Sequence, residues 1–129
     1  NGLPMKPKRT FDPSRASVSV GLAAGVLASD QLETLSFLLD AGIVMRCCGS
    51  CVAGMMEVAR GETDGYIGLG EYSWDVMAAI PIVDALGAST TMKWSEAALC
   101  SPLRFVCGAG ALVETLHPLL SRRFSASAN

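Results

Sequence analysis

Apolar and polar positions along the chain follow two different periods, and the changes between them predict alternating strands and helices. Ser17 and Ser19 alternate with Val18 and Val20, as in a half-buried strand, whereas the leucines between residues 30 and 40 recur at helical spacing. The pattern predicts strands over residues 16–22, 43–45, 66–69, 90–94 and 103–107, and helices over residues 30–40, 51–59, the segment after 75, and 111–120. This alternation predicts an α/β fold in which helices cover a sheet.

Capping and packing details follow from the same pattern. We expect Ser29 or Asp30 to cap the first helix, with its apolar face formed by Leu32, Leu35, Leu38 and Leu39. Residues 43–45 read as a short buried strand. Pro81 falls within the helix after 75, where it is tolerated if the first turn bends or ends there.

The order of the segments predicts one domain with two flanking pieces. Residues 1–15 carry Pro4, Pro7 and Pro13 among polar residues and form a lead-in or linker, residues 16–120 form the domain, and residues 121–129 form a polar tail. The chain starts with Asn1 rather than methionine, so we expect it to be part of a longer protein.

A secretory signal is the alternative for the N-terminal region. Basic residues precede the apolar run from Val18 to Ala28, as they do in signal peptides. The alternating serines, with Gly21 and Gly25 inside the run, favour a strand instead.

Composition narrows the possible functions. Half of the 129 residues are hydrophobic and 17% are charged, which is typical of a globular domain. The formal net charge of -2 predicts no surface for nucleic acid. No apolar run reaches the roughly 20 residues of a membrane span, so we expect no membrane partner.

The five cysteines are Cys47, Cys48, Cys51, Cys100 and Cys107. Their odd number fits poorly with a fully paired secreted protein. The spacing of Cys48 and Cys51 also occurs in redox and zinc sites, but buried core residues are the simpler interpretation. Reduced thiols and a cytoplasmic location are the resulting expectations.

Two segments carry candidate chemistry. In the first, a strand leads to Trp74–Asp75, after which small residues open an apolar helix that stops at Gly87; in the second, Gly49–Ser50–Cys51 turns from a strand into a helix. Together they resemble the second signature of the inositol monophosphatase family of magnesium-dependent phosphatases. The resemblance covers about residues 17–120. It implies the C-terminal half of such an enzyme, with a mixed sheet of about five strands flanked by helices.

The resemblance also implies roles and partners. Asp75 would bind Mg²⁺ and substrate, and Gly49, Ser50 and Cys51 would form the substrate pocket wall. The partners would be a small phosphorylated substrate and the N-terminal half of the same enzyme, and family members are often dimers. From the residues alone, Asp75 and Ser50 also fit plain helix caps, and Arg46 fits either a phosphate clamp or a structural ion pair.

The sequence departs from the family pattern in several places. Met77 stands where the family has a small residue, and Ala85, Leu86 and Ala88 replace most of its Glu-Ala-Gly-Gly ending. Inositol-specific members carry a glutamate seven positions before the metal aspartate, where it accepts a hydrogen bond from a ring hydroxyl, and this chain has Gly68 there. Glu71 either reaches the pocket instead or is a solvated loop charge.

The family's first signature, Asp-Pro-Ile/Leu-Asp-Gly-Thr, does not occur in the chain. The isolated chain is therefore expected to be inactive, because one aspartate cannot make a two-metal site. Two functions remain open. One is the C-terminal domain of a phosphatase for sugar, inositol or nucleotide phosphates, and the other is a noncatalytic α/β binding or interaction domain.

Overall fold

A mixed five-stranded sheet forms the centre of the molecule in a computed structural model that describes residues 2–7, 10–94 and 100–121. The strands are β1 (Ser17–Gly21), β2 (Val44–Arg46), β3 (Gly65–Glu71), β4 (Ser89–Thr90) and β5 (Leu103–Gly108). The helices are α1 (Ala28–Asp40), α2 (Cys51–Arg60), α3 (Ser73–Val76), α4 (Ala79–Ala85) and α5 (Gly110–Ser121). A single 3-10 turn, Pro13–Arg15, precedes β1.

The strand order is β2-β1-β3-β5-β4, and the sheet is parallel on one side and antiparallel on the other. β1 lies between β2 and β3 and runs parallel to both, so that Ser19 is opposite Arg46 on one side and Tyr66 on the other. β5 runs antiparallel to β3 and β4. This arrangement confirms the predicted fold class, a mixed sheet of five strands flanked by helices. In the structure, Ser17–Gly21 forms a strand of this sheet, which is the interpretation that was favoured over a signal peptide.

Each face of the sheet carries its own hydrophobic core. α1 and α5 cover one face, with a core that includes Val18, Val20, Leu38, Ile67, Leu112 and Leu116. α2, α3 and α4 cover the other face, with a core that includes Met55, Val58, Tyr66, Ile80, Val83 and Phe105. Burial of both faces explains why strand β3, from Gly65 to Gly70, is buried at every position.

The predicted cap of α1 is wrong, and its predicted apolar face is confirmed only in part, because Leu38 is fully buried and Leu35 half-buried whereas Leu32 and Leu39 are exposed. The helix begins at Ala28 after Leu27, whose side chain makes no capping hydrogen bond. Asp30 instead lies in the first turn, is buried, and faces Arg104 of β5 with Nη1 and Oδ2 3.7 Å apart. The buried positions of α1, which are Asp30, Thr34 and Leu38, form a stripe on the side of the helix that faces the sheet. Leu32 and Leu39 are consequently 64% and 69% exposed.

The two outer strands also differ from expectation. β2 was predicted to be buried, but it pairs only with β1, and Val44 is 64% exposed. The predicted strand over residues 90–94 is reduced to Ser89–Thr90. Beyond it, the amide of Thr91 still donates a hydrogen bond of 2.9 Å to the carbonyl of Val106, but the amide of Val106 donates to the hydroxyl of Thr91 at 2.9 Å.

The predictions for the later helices, α2 to α5, agree better with the structure. α2 follows Ser50 and ends at Gly61, whose φ of 74° is the left-handed conformation that favours glycine. The predicted helix after 75 is divided into α3 and α4, and Pro81 lies in the first turn of α4, where its missing amide is tolerated. The predicted helix over 111–120 is α5, which Ser121 ends, and the rest of the predicted tail lies outside the described residues.

Across the described parts of the chain, no helix has the length and apolar character needed to cross a lipid bilayer.

Candidate active site

A cavity of about 270 Å³ opens at the carboxyl end of β3. Open α/β sheets bind ligands at this edge, because loops and helix N-termini converge there. The cavity is lined by six residues from two segments: Gly49, Ser50, Cys51, Val52, Glu71 and Asp75. All four residues predicted for the site therefore lie around one space, although their separation in sequence is large.

The first wall is the turn from β2 into α2. Gly49 has a φ of 71°, which a residue with a side chain adopts only at a cost, so glycine suits this turn. The hydroxyl of Ser50 accepts a hydrogen bond of 3.3 Å from the amide of Ala53 and caps α2, as predicted. Cys51 and Val52 follow as the first residues of the helix, so its N-terminus borders the cavity.

Asp75 forms the second wall as the third residue of α3. Its Oδ2 accepts a hydrogen bond of 3.0 Å from the amide of Tyr72, the residue that caps α3. Asp75 is thus not the N-cap itself, which corrects the simpler interpretation, but it reaches back to the cap as in a capping box. Trp74 is 53% exposed and stacks on Tyr72 with ring centroids 4.6 Å apart. These contacts fix the orientation of the carboxylate at the cavity.

Glu71 is a cavity residue that sequence reasoning undervalued. Its side chain is half-buried, and its Oε1 accepts a hydrogen bond of 2.5 Å from the hydroxyl of Tyr66. The interpretation of Glu71 as a solvated loop charge is therefore wrong. The signal available in the sequence was the strand Tyr66–Leu69, which would have had to be extended to Glu71.

Comparison with known proteins identifies the family. The model of the inositol monophosphatase family matches residues 1–126. The chain belongs to the inositol monophosphatase family. No protein of curated function matches the sequence significantly.

The chain is similar in fold to solved structures of longer proteins. SuhB from Mycobacterium tuberculosis superposes with a TM-score of 0.74 at 23% identity, covering 92% of this chain and 46% of its own. SuhB from Bartonella henselae superposes with a TM-score of 0.80 at 18% identity, covering 96% of this chain and 49% of its own. An IMPase/NADP phosphatase complexed with Mg²⁺ and phosphate superposes with a TM-score of 0.72 at 24% identity, covering 95% of this chain and 45% of its own. The chain spans about half the length of these relatives.

In this family member, a thiol that lines the cavity and a phenol that contacts its Glu71 both have raised pKa values. Burial raises the pKa of the Cys51 thiol to about 12, so the thiol is neutral at physiological pH. Burial, and the hydrogen bond to Glu71, raise the pKa of the Tyr66 hydroxyl above its ordinary value. Of the six described residues that line the cavity, Glu71 and Asp75 are the acidic ones.

Arg46 does not belong to the cavity lining. Its Nη1 lies 3.6 Å from Oε1 of Glu57, whose other oxygen accepts a hydrogen bond from the hydroxyl of Ser19. Ser19 is fully buried rather than half-buried, because Glu57 supplies its partner from α2. The ion-pair interpretation of Arg46 is therefore confirmed.

The remaining cysteines divide into two groups. Cys51 and Cys107 are buried, as expected of core residues, whereas Cys47, Cys48 and Cys100 are exposed, which corrects the interpretation of all five as core. Within residues 2–7, 10–94 and 100–121, no group of three or more His, Cys, Asp or Glu side chains lies close enough together to hold a metal ion.

The cavity nevertheless suits one part of a magnesium site. Among the described residues that line it, two carry carboxyl groups and none is basic, and hard oxygen donors are the ligands that Mg²⁺ prefers. An anionic phosphate would be repelled by this lining unless a cation lay between them. The residues present thus fit a divalent cation, of which Asp75 would be one ligand.

Proposed function

We propose that this chain is the C-terminal, substrate-side part of a Mg²⁺-dependent phosphomonoesterase that hydrolyses sugar, inositol or nucleotide phosphates. The observation that supports the proposal is that Gly49, Ser50, Cys51 and Asp75 line one and the same cavity at the end of β3. Family membership supports the reaction class, and one similar structure is described as a complex with Mg²⁺ and phosphate.

In this proposal, Asp75 binds the metal ion and the N-terminus of α2 binds the substrate. A bound Mg²⁺ would neutralise phosphoryl oxygens and lower the pKa of an attacking water. Asp75 would contribute one ligand, held in place by the amide of Tyr72. The N-terminus of α2 presents the amides of Cys51 and Val52 beside the cavity, where they would donate to an anionic or hydroxyl oxygen of the substrate.

The remaining ligands would come from the part of the family fold that this chain does not span. The chain covers 45% to 49% of the three relatives described above. The described residues hold no complete ligand set, so the chain alone is expected to be inactive.

The competing function is a noncatalytic binding or interaction domain that keeps the fold. Gly68, in place of the glutamate of inositol-specific members, and the incomplete ligand set favour it. The two functions differ in one outcome, because only the enzyme releases phosphate in a metal-dependent manner.

The test is phosphate release by the complete gene product over a range of Mg²⁺ concentrations. Inositol monophosphate, sugar phosphates and nucleotide phosphates serve as substrates. We expect metal-dependent turnover by the wild-type protein. Asp75→Asn should lower kcat/KM by about a hundredfold or more, at least the upper range seen when a metal ligand loses its outer-shell partner.

Asp40→Asn is the matched control, because Asp40 is exposed at the end of α1, outside the cavity. It should leave kcat/KM within experimental error of the wild type. Unchanged turnover in Asp75→Asn would remove Asp75 from the site. An inactive wild-type protein that still folds would favour the noncatalytic alternative.

A further inference from the structure

A β-bulge at the end of β3 changes the face on which Glu71 lies. Gly68 pairs with Phe105 and Glu71 pairs with Leu103, so three positions along β3 correspond to two along β5. The extra residue in β3 is the definition of a bulge, and it interrupts the regular alternation of side chains.

The neighbours of the bulge show the consequence. Leu69 belongs to the core beneath α1 and α5, and a Cβ on Gly70 would lie 2.4 Å from Val26 Cγ2. Val26 lies in the loop between β1 and α1. Leu69 and Gly70 therefore share the face opposite Tyr66, and Glu71 returns to the face of Tyr66 and the cavity.

Two glycines leave the room that the side chain of Glu71 occupies. A Cβ on Gly68 would lie 3.0 Å from Glu71 Cγ and 2.6 Å from Phe105 Cε1. A Cβ on Gly21, the last residue of β1, would lie 2.0 Å from Glu71 Oε1. A larger residue at either position would displace the acid, so the absence of a side chain at 68 and the presence of Glu71 in the cavity are coupled.

The carboxylate is fixed at one oxygen only. Tyr66, which is 1% exposed, donates its hydroxyl hydrogen to Oε1. Among the residues that the structure describes, no donor contacts Oε2. An ionised carboxylate accepts hydrogen bonds but cannot donate them. A ligand group that binds Oε2 in the cavity would therefore be a hydroxyl, an amine or a cation.

We infer that Glu71 accepts a hydrogen bond from a hydroxyl group of the ligand and makes the cavity selective for hydroxyl-rich phosphates. The inference rests on the proposed function, because the phosphate end of the ligand would be held on the Asp75 side. A half-buried acceptor that loses its hydroxyl partner when a ligand lacks one discriminates against that ligand. Inositol-specific members carry their glutamate at the position of Gly68, whereas in this chain the bulge brings Glu71 to the cavity instead.

The test compares inositol monophosphate, which carries hydroxyl groups, with phenyl phosphate, which carries none. Wild type and Glu71→Gln of the complete gene product are measured for kcat/KM and for equilibrium binding. Glutamine keeps the shape and an oxygen for Tyr66 but loses the charge. We expect the ratio of the two kcat/KM values, inositol monophosphate to phenyl phosphate, to fall about tenfold, the difference between a charged and a neutral hydrogen bond.

Glu62→Gln is the matched control, because Glu62 is exposed and pairs with Arg60 outside the cavity. It should leave the ratio unchanged. An unchanged ratio in Glu71→Gln, in turnover and in binding, would overturn the inference while leaving the phosphatase proposal intact. If wild type binds inositol monophosphate but hydrolyses neither compound, the proposed function fails, and the tenfold loss of selective binding in Glu71→Gln still decides the role of Glu71. Failure of wild type to bind either compound would overturn both.

Discussion

Gly54 of α2 lies directly against the ring of Tyr66 in β3, and a Cβ on Gly54 would be 2.6 Å from Tyr66 Cδ2. The missing side chain lets the helix approach the sheet closely. This approach matters for the cavity, because the same helix presents Cys51 at its N-terminus and the same tyrosine holds Glu71. One small residue therefore sets the distance between the two walls.

We expect Gly54→Ala to destabilise the fold by about 1–3 kcal/mol, the cost of overpacking a well-filled core. The ring of Tyr66 is fully buried and is also packed against Phe105 with centroids 5.8 Å apart, so it has little room to move. Urea unfolding of the complete gene product measures the change. Gly25→Ala is the control, since no atom lies within 4 Å of a Cβ there. Equal stability of the two variants would contradict the close approach.

The parts of the site that the sequence predicted are those with local signals. A glycine and a serine before an apolar helix specify the turn at Gly49–Ser50, and Asp75 stands at the start of the next helix. Each feature can be recognised within a few residues. The parallel pairing of β1 with both β2 and β3 then brings the two segments to one edge of the sheet.

The parts that the sequence did not predict depend on distant contacts. Glu71 enters the cavity because β3 gains one residue relative to β5, and only the pairing of the strands shows this. The ion pair of Asp30 in α1 with Arg104, far along the chain, is likewise a distant contact, and the leucine pattern of α1 indicated its buried side only in part. Local periodicity cannot report an ion pair or a register shift that another strand imposes.

The neutral thiol of Cys51 predicts a pattern of chemical modification. Alkylation requires the thiolate, and burial raises the pKa of Cys51 to about 12. At pH 8 we expect iodoacetamide to label the exposed Cys47 and Cys48 much faster than Cys51, with mass spectrometry reporting each site. Labelling in urea, where Cys51 becomes accessible, is the control. Cys51 labelling in the native protein at the rate of Cys48 would show that the thiol is not buried.

The same pKa shift predicts the direction of a pH effect. The raised pKa means that the folded state retains the thiol proton after the unfolded state has lost it. The contribution of Cys51 to stability is therefore complete below about pH 9 and declines as the pH rises toward 12. Cys51→Ala should remove this part of the alkaline decline in urea unfolding. An identical alkaline profile in the variant would contradict it.

Ser50 has two roles that different substitutions separate, because it caps α2 and lines the cavity. Ser50→Ala removes the cap and should cost about 0.5–2 kcal/mol in urea unfolding. Ser50→Asp keeps a capping acceptor, so its stability should stay close to that of the wild type. It also adds a negative charge beside Glu71 and Asp75, and binding of inositol monophosphate should weaken.

Ser29→Ala is the control for the first of these effects. Ser29 lies within the first turn of α1, and its hydroxyl contacts Asp30 Oδ1 at 3.3 Å rather than capping the helix. Its stability should therefore change by less than that of Ser50→Ala. If Ser50→Asp binds the ligand as tightly as the wild type, Ser50 does not face the phosphate, because an added carboxylate in the same cavity would repel it. Loss of both stability and binding in Ser50→Asp would instead mean that the turn itself had moved, since the capping interaction remains available to aspartate.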